Sequence, residues 1–166
     1  MFSRFAATSW IQSFAVLCMA ISAASAFGQA PKKPSDHVEV GPHKGTLIEL
    51  GEEEYHAELV VDEKTGTVSI YLLDGAAKKS VGIPDKEITV TLKHDGKAES
   101  FKLAAKPQKT DAAGTSSMFS LKDKEFIEDL HHKGSDPRLS VKIGGKSFSA
   151  KIELGHDDDH KAGSKK

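Results

Sequence analysis

The sequence predicts a mainly β protein, an antiparallel immunoglobulin-like β-sandwich of seven to eight strands with one short helix. Three observations predict it. Apolar residues recur at every second position in run after run, as in strands with one face buried. Glycine-bearing turns separate the runs, at Lys64-Thr65-Gly66, Asp95-Gly96 and Gly144-Gly145, where glycine supplies the positive φ of tight hairpins. One segment alone, "DKEFIEDLHHKGSDP", switches to helical spacing. A small barrel is the alternative way to close the same strands.

Taken in order, the first strand is Thr46 to Leu50. In Tyr55 to Asp62, the side chains of Tyr55, Ala57, Leu59 and Val61 point one way, and His56, Glu58 and Asp62 point to the wet side. Val68, Ile70 and Leu72 alternate with Thr67, Ser69 and Tyr71 across the Gly66 turn. Ile88, Val90 and Leu92 form the next dry face, and Phe101 and Leu103 follow the Asp95-Gly96 turn. The Ser117 to Leu121 run is a further strand. In the helical segment, Phe126, Ile127 and Leu130 share one face; Asp123 is placed to cap its start, Gly134 to end it, and Pro137 bars continuation. His131 and His132 fall in the last turn, where the helix dipole favours a cation. Leu139, Val141 and Ile143, then Phe148, Ala150, Ile152 and Leu154, make the final hairpin. Strands with one dry face need a second layer to cover it.

The ends differ from the body. Arg4, an apolar run from about Trp10 to Ile21 and the small-residue site Ala24-Ser25-Ala26 read as a secretory signal over residues 1–26, with Phe27 the new first residue. The run is too short and too interrupted, by Gln12, Ser13 and Ser22, for the roughly 20 apolar residues of a spanning helix. No membrane span is therefore expected after cleavage. Cys18, the only cysteine, falls inside the signal, and Leu17 before it argues against lipid attachment. The mature chain then has no thiol, so any metal must be held by His, Asp, Glu or Met. Residues 27–39 are a flexible lead-in, 40–154 the β-domain, and 155–166 a charged tail containing "HDDDH". The expected location is the periplasm or the outside of the cell. With 23 basic and 24 acidic residues, the chain carries no basic excess, and nucleic acid is not an expected partner.

The sequence has no nucleophile elbow, phosphate loop, HExxH or dinucleotide fingerprint, and a non-enzymatic role is expected. Histidine is the residue type that stands out, with eight in the chain. His43 lies in the loop before the first strand. His56 and Glu58, two apart on a strand, share a face. The candidate metal ligands are therefore His43, His56 and Glu58, with His156 and His160 of the tail as a separate set. Imidazole and carboxylate suit copper(II) or zinc. If His43 and His56 act together, the loop from Gly41 to Gly45 must fold back over the face that carries His56 and Glu58. The bland alternative turns His43 outward or packs its ring beside Tyr55 as a structural plug.

The stretch "GPHKGTLIELGEEEYHAELVVDEKTGTVSIYLLDG" resembles a segment of small exported bacterial β-domain proteins of unsettled function, with a GPHxG…YHAELV pattern. It is distantly similar to β-rich segments of the periplasmic adaptor subunits of heavy-metal efflux pumps. The matching residues are Gly41, Pro42, His43, Gly45, Tyr55, His56 and Glu58. Lys44 departs from the pattern, which often has a second glycine there. The resemblance covers about a quarter of the mature chain and implies an exported β-domain with a metal connection. The sequence lacks the long helical hairpin and lipoyl-like region of a pump adaptor. The function expected is an exported non-enzymatic binding module that takes copper or zinc through a His/carboxylate patch. The alternative is a structural or protein-interaction β-domain of the cell envelope, whose partner is an envelope protein.

Overall fold

Period-two alternation becomes eight strands in the computed structural model of the chain, which describes residues 39–94 and 96–154. The chain divides into two units, Met1–Pro34 and Ser35–Lys166, and the fold below is that of the second. The expected signal, most of the lead-in and the tail with His156 and His160 lie outside the described residues. Among the described residues no helix is long and apolar enough to cross a membrane.

The elements are β1 (Thr46–Leu50), β2 (Tyr55–Asp62), β3 (Thr67–Asp74), β4 (Glu87–His94), β5 (Lys97–Ala105), β6 (Met118–Lys122), α1 (Lys124–His131), β7 (Asp136–Ile143) and β8 (Lys146–Lys151). All pairings are antiparallel, in the order β1-β2-β3-β6-β5-β4-β7-β8. The sheet is continuous, but its middle joint is narrow: β5 and β6 share only Ala104↔Ser120 and Ala105↔Phe119. The two edge strands, β1 and β8, pack against each other. The two layers are thus the two halves of one curled sheet, nearly a barrel.

Between the halves lies one apolar core. Ala57, Leu59, Val68, Ile70 and Leu72 come from the first half, and Val90, Leu103, Leu139 and Ile143 from the second. The inward positions are those that the alternation marks. The hairpins also follow the glycines, with Gly66 at φ +72°, Gly96 at +77°, and Gly144 and Gly145 at +58° and +87°. Two consecutive positive φ values are the signature of the type I′ turn, whose twist suits a two-residue hairpin.

The helix closes one end of the core. Asp123 caps it, its carboxylate accepting the N–H groups of Glu125 and Phe126. Phe126, Ile127 and Leu130 are its buried face. Phe126 stacks on Phe101 of the opposite half, with ring centroids 4.3 Å apart. The helix stops before Gly134: His132 leaves helical geometry, with ψ at 132°.

Candidate functional site

Backbone hydrogen bonds make residues 39 to 47 a hairpin that folds onto the sheet. Gly41 N–H donates to Gly45 O (2.9 Å), Lys44 N–H to Gly41 O (3.0 Å) and Leu47 N–H to Glu39 O (2.8 Å), and Val40 bridges Thr46. Its tip, Pro42-His43-Lys44, lies over the outer side of β2 and β3. The loop thus folds back over Glu58, one of the two residues it would have to cover for His43 and His56 to act together.

Beneath the tip lies Glu58, with 0% of its surface exposed. One carboxylate oxygen, Oε1, accepts the main-chain N–H of His43 (2.7 Å) and of Gly45 (2.8 Å). The other, Oε2, is 2.7 Å from Nδ1 of His43. An ionised carboxylate only accepts, so Nδ1 is the donor of this bond. The His43 ring lies flat on Tyr71, with centroids 3.8 Å apart and planes at 8°. Tyr71 is opposite Glu58 in the β2–β3 register, so a strand neighbour supplies the floor for the histidine. A buried charge is tolerated when its oxygens are satisfied this way.

The glycines of the hairpin are needed for space. A Cβ on Gly41 would collide with the Glu58 carboxyl carbon, and one on Gly45 with the carbonyl of Leu59. Neither is in the left-handed region; Lys44 is, at φ +66°. The bend therefore does not use the φ freedom of Gly41 and Gly45.

His56 is elsewhere. It is opposite Glu49 of β1 and Leu73 of β3, is 7% exposed, and its Nδ1 lies 3.3 Å from the carbonyl of Asp74. The wet face expected for His56 and Glu58 is corrected here, since both are buried: the hairpin covers Glu58, and His56 sits beside the buried Leu73. No group of three His, Cys, Asp or Glu able to hold a metal forms among the described residues. His43 and Glu58 do meet. A metal at Glu58 would have to displace the hairpin's own donors, so the pair acts first as a clasp. Of the bland alternatives, His43 does pack on a tyrosine, but on Tyr71. Tyr55 meets Phe148 edge-on instead, at 5.6 Å and 79°. Tyr71 carries no motif signal of its own, and only the β2–β3 register places it under His43.

Two further carboxylates fix loops at the same end of the sheet. Asp74 Oδ1 accepts the N–H groups of Lys78 and Lys79, at 2.8 and 3.1 Å, and these bonds lower its pKa from 3.8. Asp111 Oδ2 accepts Gln108 N–H (2.7 Å) and Ser117 N–H (3.0 Å). Burial raises the pKa of Asp111, but the donated N–H groups of Gln108 and Ser117 hold it below 3.8.

The outer side of the other half has a different character. Across β5, β4, β7 and β8, one row reads Lys102-Thr89-Ser140-Ser149 and the next Ser100-Thr91-Arg138-Lys151. Lys93 and Lys142 flank them, and Glu87 and Asp136 are the carboxylates on this side of the strands. Lys102 pairs with Glu87 at 2.6 Å, Arg138 with Asp136 at 3.4 Å, and Lys151 with Glu153, just past the end of β8, at 3.7 Å.

No family model, curated protein or solved structure matches this chain.

Proposed function

We propose that this protein is an exported, non-enzymatic binding module of the cell envelope, and that it docks an acidic surface of an envelope protein on the β5-β4-β7-β8 face. The observation that carries this reading is the composition of that face. Its outward positions are short hydroxyls and five cations, Lys93, Lys102, Arg138, Lys142 and Lys151, against three carboxylates, Glu87, Asp136 and Glu153. Short hydroxyls leave a strand surface flat and able to donate and accept. The excess of cations favours an acidic partner and raises its association rate. The signal expected over residues 1–26 is what supports a location in the periplasm or outside the cell.

The test is a photo-crosslinking residue at Ser140 or Ser149 in the producing cell. The expected result is one protein adduct of defined mass, lost when Arg138→Glu and Lys142→Glu are combined. No adduct, or one indifferent to those charges, overturns the reading.

The hairpin favours a second reading, in which the module takes a divalent copper or zinc ion. Glu58 engages the His43 ring through Nδ1, so Nε2 is the nitrogen that would face a metal, and the side chain is 38% exposed. A carboxylate behind an imidazole is the support that metal-binding histidines commonly have. Calorimetry with copper(II) tests it, and equal binding by wild type and His43→Ala removes it.

A further inference from the structure

We propose that the cleft where β4 and β7 part is a strand-docking site, an inference that rests on the docking face proposed above. Its occupant is an extended segment of the acidic partner, in which Asp or Glu alternates with an apolar residue.

The ladder between β4 and β7 runs from Lys93↔Asp136 to Thr89↔Ser140 and stops there. Both strands continue past it. β4 stays on β5 as far as Glu87↔Ala104, and β7 stays on β8 as far as Ile143↔Lys146. The sheet therefore forks, and a cleft of about 400 Å³ lies in the fork. The alternation of each ladder fixes which main-chain groups face it. Lys86 O accepts the N–H of Ala105, so the even residues of β4 turn their N–H and C=O groups to β5. The odd ones, Glu87 among them, turn theirs toward β7. Pro137 O accepts the N–H of Ile152, so the odd residues of β7 face β8 and the even ones, Lys142 among them, face β4. Glu87 and Lys142 are where the next hydrogen-bonded pair after Thr89↔Ser140 belongs, and the ladder does not reach them. Their main-chain donors and acceptors are turned into the cleft.

An unladdered strand edge takes a further strand through main-chain hydrogen bonds, and alternate side chains then set the specificity. Floor and rim decide which side chains fit. Ile88, Val141 and Phe148, buried residues of the inner face, line the cleft from below and suit an apolar residue that points inward. Asp85 and Glu87 on the β4 wall repel an acidic chain, although Lys102 engages Glu87 at 2.6 Å. The β7 wall carries Lys142, with Arg138 further along the same strand. The docked carboxylates therefore belong on the β7 side, where the cations of the docking face begin.

Titration of the full-length protein with the peptide acetyl-EVEVE-amide tests the assignment, read by fluorescence anisotropy and amide NMR. Wild type is expected to bind it, with the amides of Glu87 and Lys142 exchanging more slowly in the complex. The same peptide N-methylated throughout keeps its charges and loses every main-chain donor, and it is expected to bind about tenfold more weakly or worse. Glu87→Pro removes a donor from the cleft and none from the β4–β5 ladder, at the first residue of a strand, where proline is tolerated. It is expected to weaken binding about tenfold, whereas Glu87→Gln binds at least as tightly as wild type. Circular dichroism checks that the proline variant is folded. The strand site is overturned if wild type does not bind the peptide, if the N-methylated peptide binds as tightly, or if the Glu87 and Lys142 amides do not respond. A charge-dependent adduct at Ser140 or Ser149 alongside any of these results keeps the docking face and removes only the strand. Peptide binding and amide protection without such an adduct overturn the docking face and keep the cleft's selection of an acidic strand.

Discussion

Glu58 has no exposed surface, and its three hydrogen bonds all come from the hairpin tip. Bonds to a charged group contribute about 1.5–3 kcal/mol each, and a buried acceptor left without them costs its desolvation as well. In Glu58→Gln, one oxygen becomes an NH₂ that faces donors instead of accepting from them. The expected loss is about 2–3 kcal/mol in the urea unfolding free energy, with faster exchange of the His43 and Gly45 amides. Unchanged stability would show that the clasp contributes nothing. Lys44 predicts the opposite sign. Its φ of +66° strains a residue with a Cβ, and glycine relieves that strain at an entropic cost of roughly 0.5–1 kcal/mol. Lys44→Gly is expected to stabilise by up to about 1 kcal/mol, read as a higher urea midpoint. A lower midpoint overturns the account of the turn.

The elements show how far a sequence reaches. Strand positions were legible because burial on one face forces a period of two. The glycine turns were legible because only glycine takes consecutive positive φ easily, and α1 because Asp123 and its apolar face mark it. The burial of His56 and Glu58 was not legible, because alternation gives the direction of a side chain and not what a later or earlier loop lays over it. His43 and His56, 15 and 18 positions from Glu58 and Asp74, carry no local signal of these contacts; only the register brings Tyr71 and Glu58 together. Loop closure by Asp74 and Asp111 is local, with partners three to six residues away, and it sets an acid limit. Both carboxyls titrate below 3.8 in the fold. Depressed folded values contribute stability above the unfolded pKa, and that stability is lost as pH falls through the folded values. Unfolding free energy is therefore expected to fall as pH is lowered past about 3.8. Asp111→Asn is expected to shallow that fall while lowering stability at neutral pH. An identical acid profile in the variant would remove Asp111 from the explanation.

At the scale of the whole described body, the question is what holds two half-sheets together. The ladder contributes little, since β5 and β6 share two residue pairs. The edge strands β1 and β8 pack without a hydrogen-bonded ladder between them, so side chains must supply the cohesion. Phe126 is the clearest case. It is fully buried, it comes from the helix that follows the first half, and it stacks on Phe101 of the second. Removing a buried phenylalanine costs about 3–5 kcal/mol, from lost transfer energy and the cavity left behind. Because the core is shared, that loss cannot be confined to one half. Phe126→Ala is expected to lower the stability of both halves by the same amount and keep a single transition. Native-state hydrogen exchange reads this directly, through the slowest amides of β2 and β3 against those of β4 and β7. Equal protection in wild type, falling equally in the variant, is the expected result. If β4 and β7 keep their protection while β2 and β3 lose theirs, the halves are separate folding units, and the narrow β5–β6 joint is a boundary between them.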